Sequence, residues 1–264
     1  MGDFQNVLYE TDGPVGTITL NRPDKLNPLD WGTVRELKAL LGQIDADHSV
    51  RVVIVTGAGR AFSAGGDLEG YLTLYRRPDD LSRFLSDFYD VNRLIEESDK
   101  IFIASVNGVT VAGGLELMLA CDVVIAAEEA RIGDGHLNFA QLPGAGGSQR
   151  LPRTIGTLRA KRLMLTGELV SGTEAERIGL VTFAVPGDKL ADETRRLAEA
   201  MLEKSPSALK GAKYLVHQAG QTDLEAGLAL EIDFVHGYAT TDTDAMEGLQ
   251  AFKEKRKPKY KATR

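Results

Sequence analysis

A carboxylate set inside an apolar run is the feature that most limits what this chain can become. From Asn107 the sequence reads N-G-V-T-V-A-G-G-L-E-L-M-L-A-C-D, and the stretch continues to Arg150 through R-I-G-D-G-H and L-P-G-A-G-G-S-Q-R. Glu116 stands three residues past Gly113, flanked by Leu115, Leu117, Met118 and Leu119. A charged side chain is seldom buried without a partner or a task. Paired glycines at a helix start leave backbone N–H groups open to a ligand. Donors and a carboxylate together describe a place where an anion forms and a proton moves. The alternative is an N-terminal helix carboxylate stabilised by the helix dipole, a reading that the apolar neighbours weaken.

The remaining sequence must supply a frame for that stretch. With 264 residues, 43% of them hydrophobic, there is ample material for one large domain or two small ones. A net charge of −7 argues against nucleic acid as a partner. The only cysteine, Cys121, cannot pair within the chain, which points to a reducing compartment. The N-terminal residues lack the basic and apolar regions of a signal peptide, and no apolar run approaches the ~20 residues that span a bilayer. These features together predict a soluble cytoplasmic protein with no membrane partner.

Along the chain, Val7–Tyr9 and Val15–Leu20 read as a hairpin. A helix follows over about Asp30–Ile44, with Val34, Leu37, Leu40, Leu41 and Ile44 at helical spacing. The β-branched run Arg51–Thr56 predicts a strand buried on both faces, as do Ile101–Val106 and Val123–Ala127. Between them lie a glycine-rich loop at Gly57–Gly66 and an irregular helical region over residues 70–98. After Gly147 the pattern is mostly helical, with segments at Gln149–Leu165, Gly172–Ile178, Lys189–Lys204, Pro206–Gln218, Thr222–Ala239 and Asp244–Lys255. Thr222 with Glu225, and Asp244 with Glu247, have the spacing of capping boxes. Strands alternating with helices, then helices alone, predict an α/β core and a smaller helical C-terminal part.

Several familiar motifs do not survive inspection. Gly57-Ala58-Gly59 after a strand invites a dinucleotide fold, but Phe62 stands where the third glycine belongs. No stretch matches a phosphate loop. Ala61-Phe62-Ser63-Ala64-Gly65 misses a nucleophile elbow by its first residue, leaving Ser63 as an expected loop hydroxyl. The four histidines have no metal-ligand spacing, so no metal site is expected.

Two glycine loops remain, Ala64-Gly65-Gly66-Asp67 and Ala112-Gly113-Gly114, each expected after a buried strand. Parallel strands would bring them to one sheet edge, where an N–H from each could grip a developing oxyanion. They could equally serve only to turn the chain. Asp134 and His136 lie nearby in sequence; in an extended segment, residues two apart face the same way, so Asp134 could orient the imidazole. From Lys253 to Arg264 there are seven basic residues and one acid, either a solvated tail or a contact for phosphates.

At this point the residues resemble a known family. Arg22-Pro23-Asp24-Lys25-Leu26-Asn27, Ala61 through Leu68, Gly113-Gly114-Leu115-Glu116-Leu117, Leu142 through Arg150 and Gly248 through Pro258 are similar to motifs of the enoyl-CoA hydratase/isomerase (crotonase) superfamily, in order over nearly the whole chain. The resemblance implies a spiral of ββα turns over residues 1–200 and a helical trimerisation region over 201–264 that also contacts coenzyme A. It implies homotrimers or dimers of trimers. It further implies an acyl-CoA substrate, with coenzyme A as part of the substrate and no separate cofactor. By motif position, Gly66 and Gly113 would form the oxyanion hole. Lys25, Leu26, Ala64, Asp67 and Leu68 would line the coenzyme A path, and Gly144 would sit beside the catalytic water.

The family's hydratases use two glutamates. Glu116 matches the first; the second belongs to an F-G-x-P-E stretch that here reads Ile132-Gly133-Asp134-Gly135-His136, so His136 occupies its place. An imidazole with a pKa near ~6.5 can serve as acid or base. The reading is therefore hydration or dehydration of a 2-enoyl thioester by Glu116 and His136, with Asp134 supporting the latter. The alternatives are double-bond isomerisation with Glu116 alone, hydrolysis of a C–C or thioester bond with His136 as base, and non-catalytic binding of a CoA ester.

Overall fold

The computed structural model describes residues 4–261. In chain order the elements are β1 (Val7–Asp12), β2 (Val15–Leu20), α1 (Trp31–Ala46), β3 (Val52–Gly57), β4 (Ala61–Ser63), α2 (Leu68–Leu74) and α3 (Pro78–Glu97). Then come β5 (Ile101–Val106), β6 (Val109–Val111), α4 (Gly113–Leu119), β7 (Val123–Ala127), β8 (Arg131–Gly133), α5 (Gly147–Ile155) and α6 (Thr157–Thr166). The chain continues through β9 (Val170–Ser171), α7 (Gly172–Arg177), β10 (Phe183–Val185), α8 (Leu190–Leu202), α9 (Pro206–Ala219), α10 (Leu224–Thr241) and α11 (Thr243–Lys253).

Two sheets carry the architecture. The larger has strand order β1-β2-β3-β5-β7-β10, and the smaller β4-β6-β8-β9. From β2 to β10 the large sheet is parallel, and β1 pairs antiparallel with β2. Successive turns of chain place one strand in the large sheet, one in the small sheet and then a helix: β3-β4-α2, β5-β6-α4, β7-β8-α5. This is the expected spiral of ββα turns. The β-branched strands β3 and β5 are buried almost throughout, because helices cover one face and the small sheet's turns the other. On α1 the buried set is Thr33, Val34, Leu37, Leu40, Leu41 and Ile44, and on α3 it is Phe84, Phe88, Val91, Asn92 and Ile95. Both show one apolar stripe at helical spacing.

The structure departs from the sequence reading in specific places. The small sheet was not anticipated, since strands of two or three residues are too short to show alternation. Each glycine loop therefore follows a small-sheet strand, β4 or β6, instead of a long one. The segment 149–165 is two helices, broken at Gly156, whose φ of +80° ends α5. The caps of α10 and α11 are Asp223 and Asp242, accepting from Ala226 and Asp244 N–H at 2.9 and 2.8 Å, not Thr222 and Asp244. Asp244 instead accepts from the Ser205 hydroxyl and the Lys261 amide. The boundary expected at residue 200 falls inside α8, and residues 1–3 and 262–264 lie outside the described set.

α8 packs on the large sheet through Leu190, Thr194 and Ala198, with the Thr194 and Ser105 hydroxyls 3.0 Å apart. Beyond it, α10 has no buried residue. Among the described residues, no helix is long and apolar enough to cross a membrane.

Candidate active site

The site forms where the small sheet hands the chain to its helices. β4 and β6 pair in parallel, so the loops after them leave side by side. Gly65 has a φ of +91°, and a Cβ there would lie 2.7 Å from the Val111 carbonyl and 3.1 Å from the Gly113 nitrogen. Only glycine allows that approach. Ser63 is buried in β4, not a loop hydroxyl; it donates to the Asn27 carbonyl at 2.8 Å and accepts from Gly65 N–H at 3.1 Å. The 22–29 turn is tied to the same loop, with Ala64 N–H donating to Leu26 O and Leu29 N–H to Gly65 O.

Ala112, just before Gly113, is strained at φ 52°, ψ −118°. Its N–H donates to the Asp134 carbonyl at 2.8 Å, which ties the start of α4 to the next turn. Strain of this kind persists only where surrounding bonds over-determine it, and it concentrates at functional sites. Neither the Gly66 nor the Gly113 N–H has a backbone acceptor among the described residues.

Glu116 is 2% exposed. Its Oε1 accepts from Ala145 N–H at 2.8 Å and Gly147 N–H at 2.7 Å. Burial pushes its pKa up; the Gly147 bond, the His136 ring and the Ala145 bond pull the other way without prevailing, and Asp134 adds to the rise. Oε2 faces His136 Nε2 at 3.9 Å, beyond a direct hydrogen bond.

Asp134 and His136 do meet, but not as residues of an extended strand. β8 ends at Gly133, Gly135 takes the left-handed region at φ +65°, and His136 opens a short 3-10 turn through Phe139. The Asp134 carboxylate bends back to accept the His136 backbone N–H at 3.3 Å. Its Oδ2 stands 3.1 Å from ring Nδ1, yet neither atom completes an aligned hydrogen bond. The contact is thus close without being a directed bond.

The other expected positions are distributed around this centre. Lys25 is exposed; Leu26, with φ 60°, and Ala64 are half-buried. Asp67 caps α2 through Glu69 and Gly70 N–H, and Leu68 is exposed. Gly144 lies in the loop that feeds Glu116, where a Cβ would press on Leu85 Cδ2 at 2.7 Å. A cavity of 540 Å³ lined by Glu96, Lys213, Tyr214, His217 and Phe234 lies among α3, α9 and α10, not at Glu116.

The profile of the family described as enoyl-CoA hydratase/isomerase matches residues 10–263. The chain belongs to that family. A crystallographic enoyl-CoA hydratase from Bacillus anthracis superposes with a TM-score of 0.92 at 40% identity, covering 98% of this chain and 100% of that one. A crotonyl-CoA hydratase of Syntrophomonas wolfei is 34% identical over 97% of this chain and 98% of its own length. A Clostridium acetobutylicum short-chain-enoyl-CoA hydratase is also 34% identical, covering 97% of each.

For this enoyl-CoA hydratase/isomerase family member, sequence reasoning missed three parts of the site. The Ala145 and Gly147 amides carry no side-chain signal. Tyr71 was not singled out. Its hydroxyl occupies the space a Cβ would take at Gly66, and its ring packs 5.5 Å from Tyr75 and 6.0 Å from Phe84. Burial, with Tyr75, Glu116 and Asp67 nearby, raises its pKa, so the phenol stays neutral. The third omission is the anchoring of the Ala145 loop by α3.

Proposed function

We propose that this protein catalyses reversible addition of water to a 2-enoyl-CoA thioester. The observation that carries the reading is the placement of Glu116: one oxygen is held by two amides and the other faces an imidazole. The thioester carbonyl would accept from Gly66 and Gly113 N–H, a type of contact commonly worth ~2.7–4 kcal/mol in the transition state. Water, beside Gly144, adds its oxygen to C3 and gives a proton to the Glu116 carboxylate. The π electrons move through C2 onto the thioester oxygen, the enolate collapses as C2 takes a proton from protonated His136, and Glu116 then passes its proton to His136, which restores both groups. Elimination is the reverse. The raised proton affinity of Glu116 suits a group that must both take and return a proton. The Asp134 carboxylate lies 3.1 Å from Nδ1 of that ring.

Coenzyme A is part of the substrate in this reading, and no further cofactor is required. Lys25, Leu26, Ala64, Asp67 and Leu68 border its path. The uncovered apolar face of α10 supports a homotrimer or dimer of trimers, and the unpaired Cys121 supports a cytoplasmic setting.

The close Asp134–His136 pair favours one second reading, hydrolysis of a C–C or thioester bond with His136 as base. Product analysis with crotonyl-CoA separates the two. Formation of 3-hydroxybutyryl-CoA supports hydration. Free coenzyme A or a cleaved acyl chain overturns it, and a shifted double bond in a longer enoyl ester would assign isomerisation. A protein that binds the ester without turning over any acyl-CoA of a broad panel would be a binding module.

A further inference from the structure

Glu116 is aimed by a loop, and that loop is aimed by α3. Ala145 donates its N–H to Glu116, while its carbonyl accepts from Asn92 Nδ2 and from Arg150 Nη1, both at 2.8 Å. The Arg150 guanidinium is itself clasped by Glu96, one turn along α3 from Asn92, through two bonds of 2.6 and 2.7 Å. Gly146 has a φ of +106°, and a Cβ there would overlap the Arg150 guanidinium. Both lone pairs of the Ala145 carbonyl are therefore used, from two different helices, and the residue is held at both its N–H and its C=O.

Asn92 is the unusual member. It is 0% exposed, and its Oδ1 has no partner. A buried, unpaired amide oxygen disfavours folding relative to an apolar side chain of similar size. Rotating the amide would place oxygen against the Ala145 carbonyl, so the orphan cannot be cured by a flip. The Ala145 carbonyl would keep Arg150 without Asn92, so satisfying it does not require the asparagine. Such a group invites a functional account.

We propose that Asn92, with the Arg150–Glu96 pair, is a positioning residue: it fixes the Ala145 loop so that Glu116 is held with Oε2 toward His136. This deepens the hydration reading and rests on it for the kinetic consequences, but the geometry it claims does not depend on turnover. Two hydrogen bonds from separate helices remove the loop's freedom to rock. A reactive group displaced by about 1 Å can lose ~10²-fold in rate. Around Glu116 the titratable groups are His136 and Asp134 from the β8 turn and Tyr71 from α2; Arg150 and Glu96 stand behind the loop.

The test is Asn92→Leu, with Glu96→Gln as a second variant that leaves α3 packing intact. Three quantities are read: thermal midpoint, the pH profile of kcat/KM, and the Glu116 titration by carbon-13 NMR of carboxylate-labelled protein, assigned with Glu116→Gln. Asn92→Leu is expected to keep or raise the thermal midpoint while lowering kcat by roughly ten- to hundredfold, with KM nearly unchanged. The Glu116 titration and the acid limb should both move to higher pH, because a slack loop gives up amide donation to the carboxylate. A wild-type titration in both variants overturns the proposal. So does a loss of activity that follows a fall in thermal midpoint with no titration shift. If the wild-type protein hydrates no enoyl ester, the hydration reading fails, and the NMR titration still decides the role of Asn92.

Discussion

α4 and α10 handle side chains in opposite ways. The seven residues of α4 include six that are buried, among them a carboxylate. The eighteen of α10 include none, although Leu224, Leu228, Ile232 and Val235 are 78%, 51%, 69% and 48% exposed. Each helix violates the ordinary sorting of polar and apolar groups, and each violation marks a different use. A charge kept from water by the chain's own packing has its proton affinity under control. An apolar face left in water is completed by another surface, here proposed to be further copies of the chain.

The sharpest test of the contrast is Glu116→Gln. Glutamine Oε1 can still accept from Ala145 and Gly147, so the fold should persist while turnover falls by ~10²–10⁴-fold. Its stability signature follows from the raised proton affinity. The native state holds the Glu116 proton more tightly than the unfolded chain, so wild-type stability declines as pH rises from the ordinary glutamate pKa of ~4.3 to the higher folded value. The glutamine variant lacks that decline. Thermal denaturation of both proteins across this window checks it, and parallel curves would show that the carboxylate is not held protonated by burial.

His136→Ala should follow, with turnover reduced by ~10²–10⁴-fold and thioester binding preserved. A loss below about threefold, measured on the same substrate, would confine the imidazole to structure. Gly66→Ala should cost roughly 1–3 kcal/mol of stability, read by chemical denaturation, because a Cβ needs the space of the Tyr71 hydroxyl. Adding Tyr71→Phe should recover part of that loss; no recovery would place the conflict elsewhere.

On α10 the expectation is inverted. Leu228→Glu with Ile232→Glu should change the single chain's stability by only about 0.5 kcal/mol or less per site, as for exposed positions. The same pair should lower the particle mass in sedimentation from that of the proposed trimer or hexamer to that of a monomer. An unchanged mass would show that this face does not join subunits.

Much of this molecule is legible before folding. The strands β2, β3, β5 and β7 and the helix α1 follow from β-branched runs and helical spacing to within a residue or two of the observed bounds, while β1 runs three residues past the expected Tyr9, to Asp12. The burial of Glu116 follows from its four apolar neighbours, since no helix can turn all of those to solvent and remain soluble. Spacing pairs Asp134 with His136, and they do meet, but through a left-handed glycine and a 3-10 turn. Their contact comes from chain reversal, which the spacing does not specify. The second sheet escaped because pairs and triplets of residues carry no readable period.

What the sequence determined by itself is therefore the set of chemical groups and the long elements that carry them, because both depend on local side-chain character. Only tertiary structure decided which backbone groups reach Glu116. Amides 145 and 147 bring no side chain of their own to the task, and Asn92, which holds their loop, lies on a different helix more than fifty positions earlier. Hydrogen-bond direction and loop curvature arise from packing among distant segments, and no local pattern of residues encodes them.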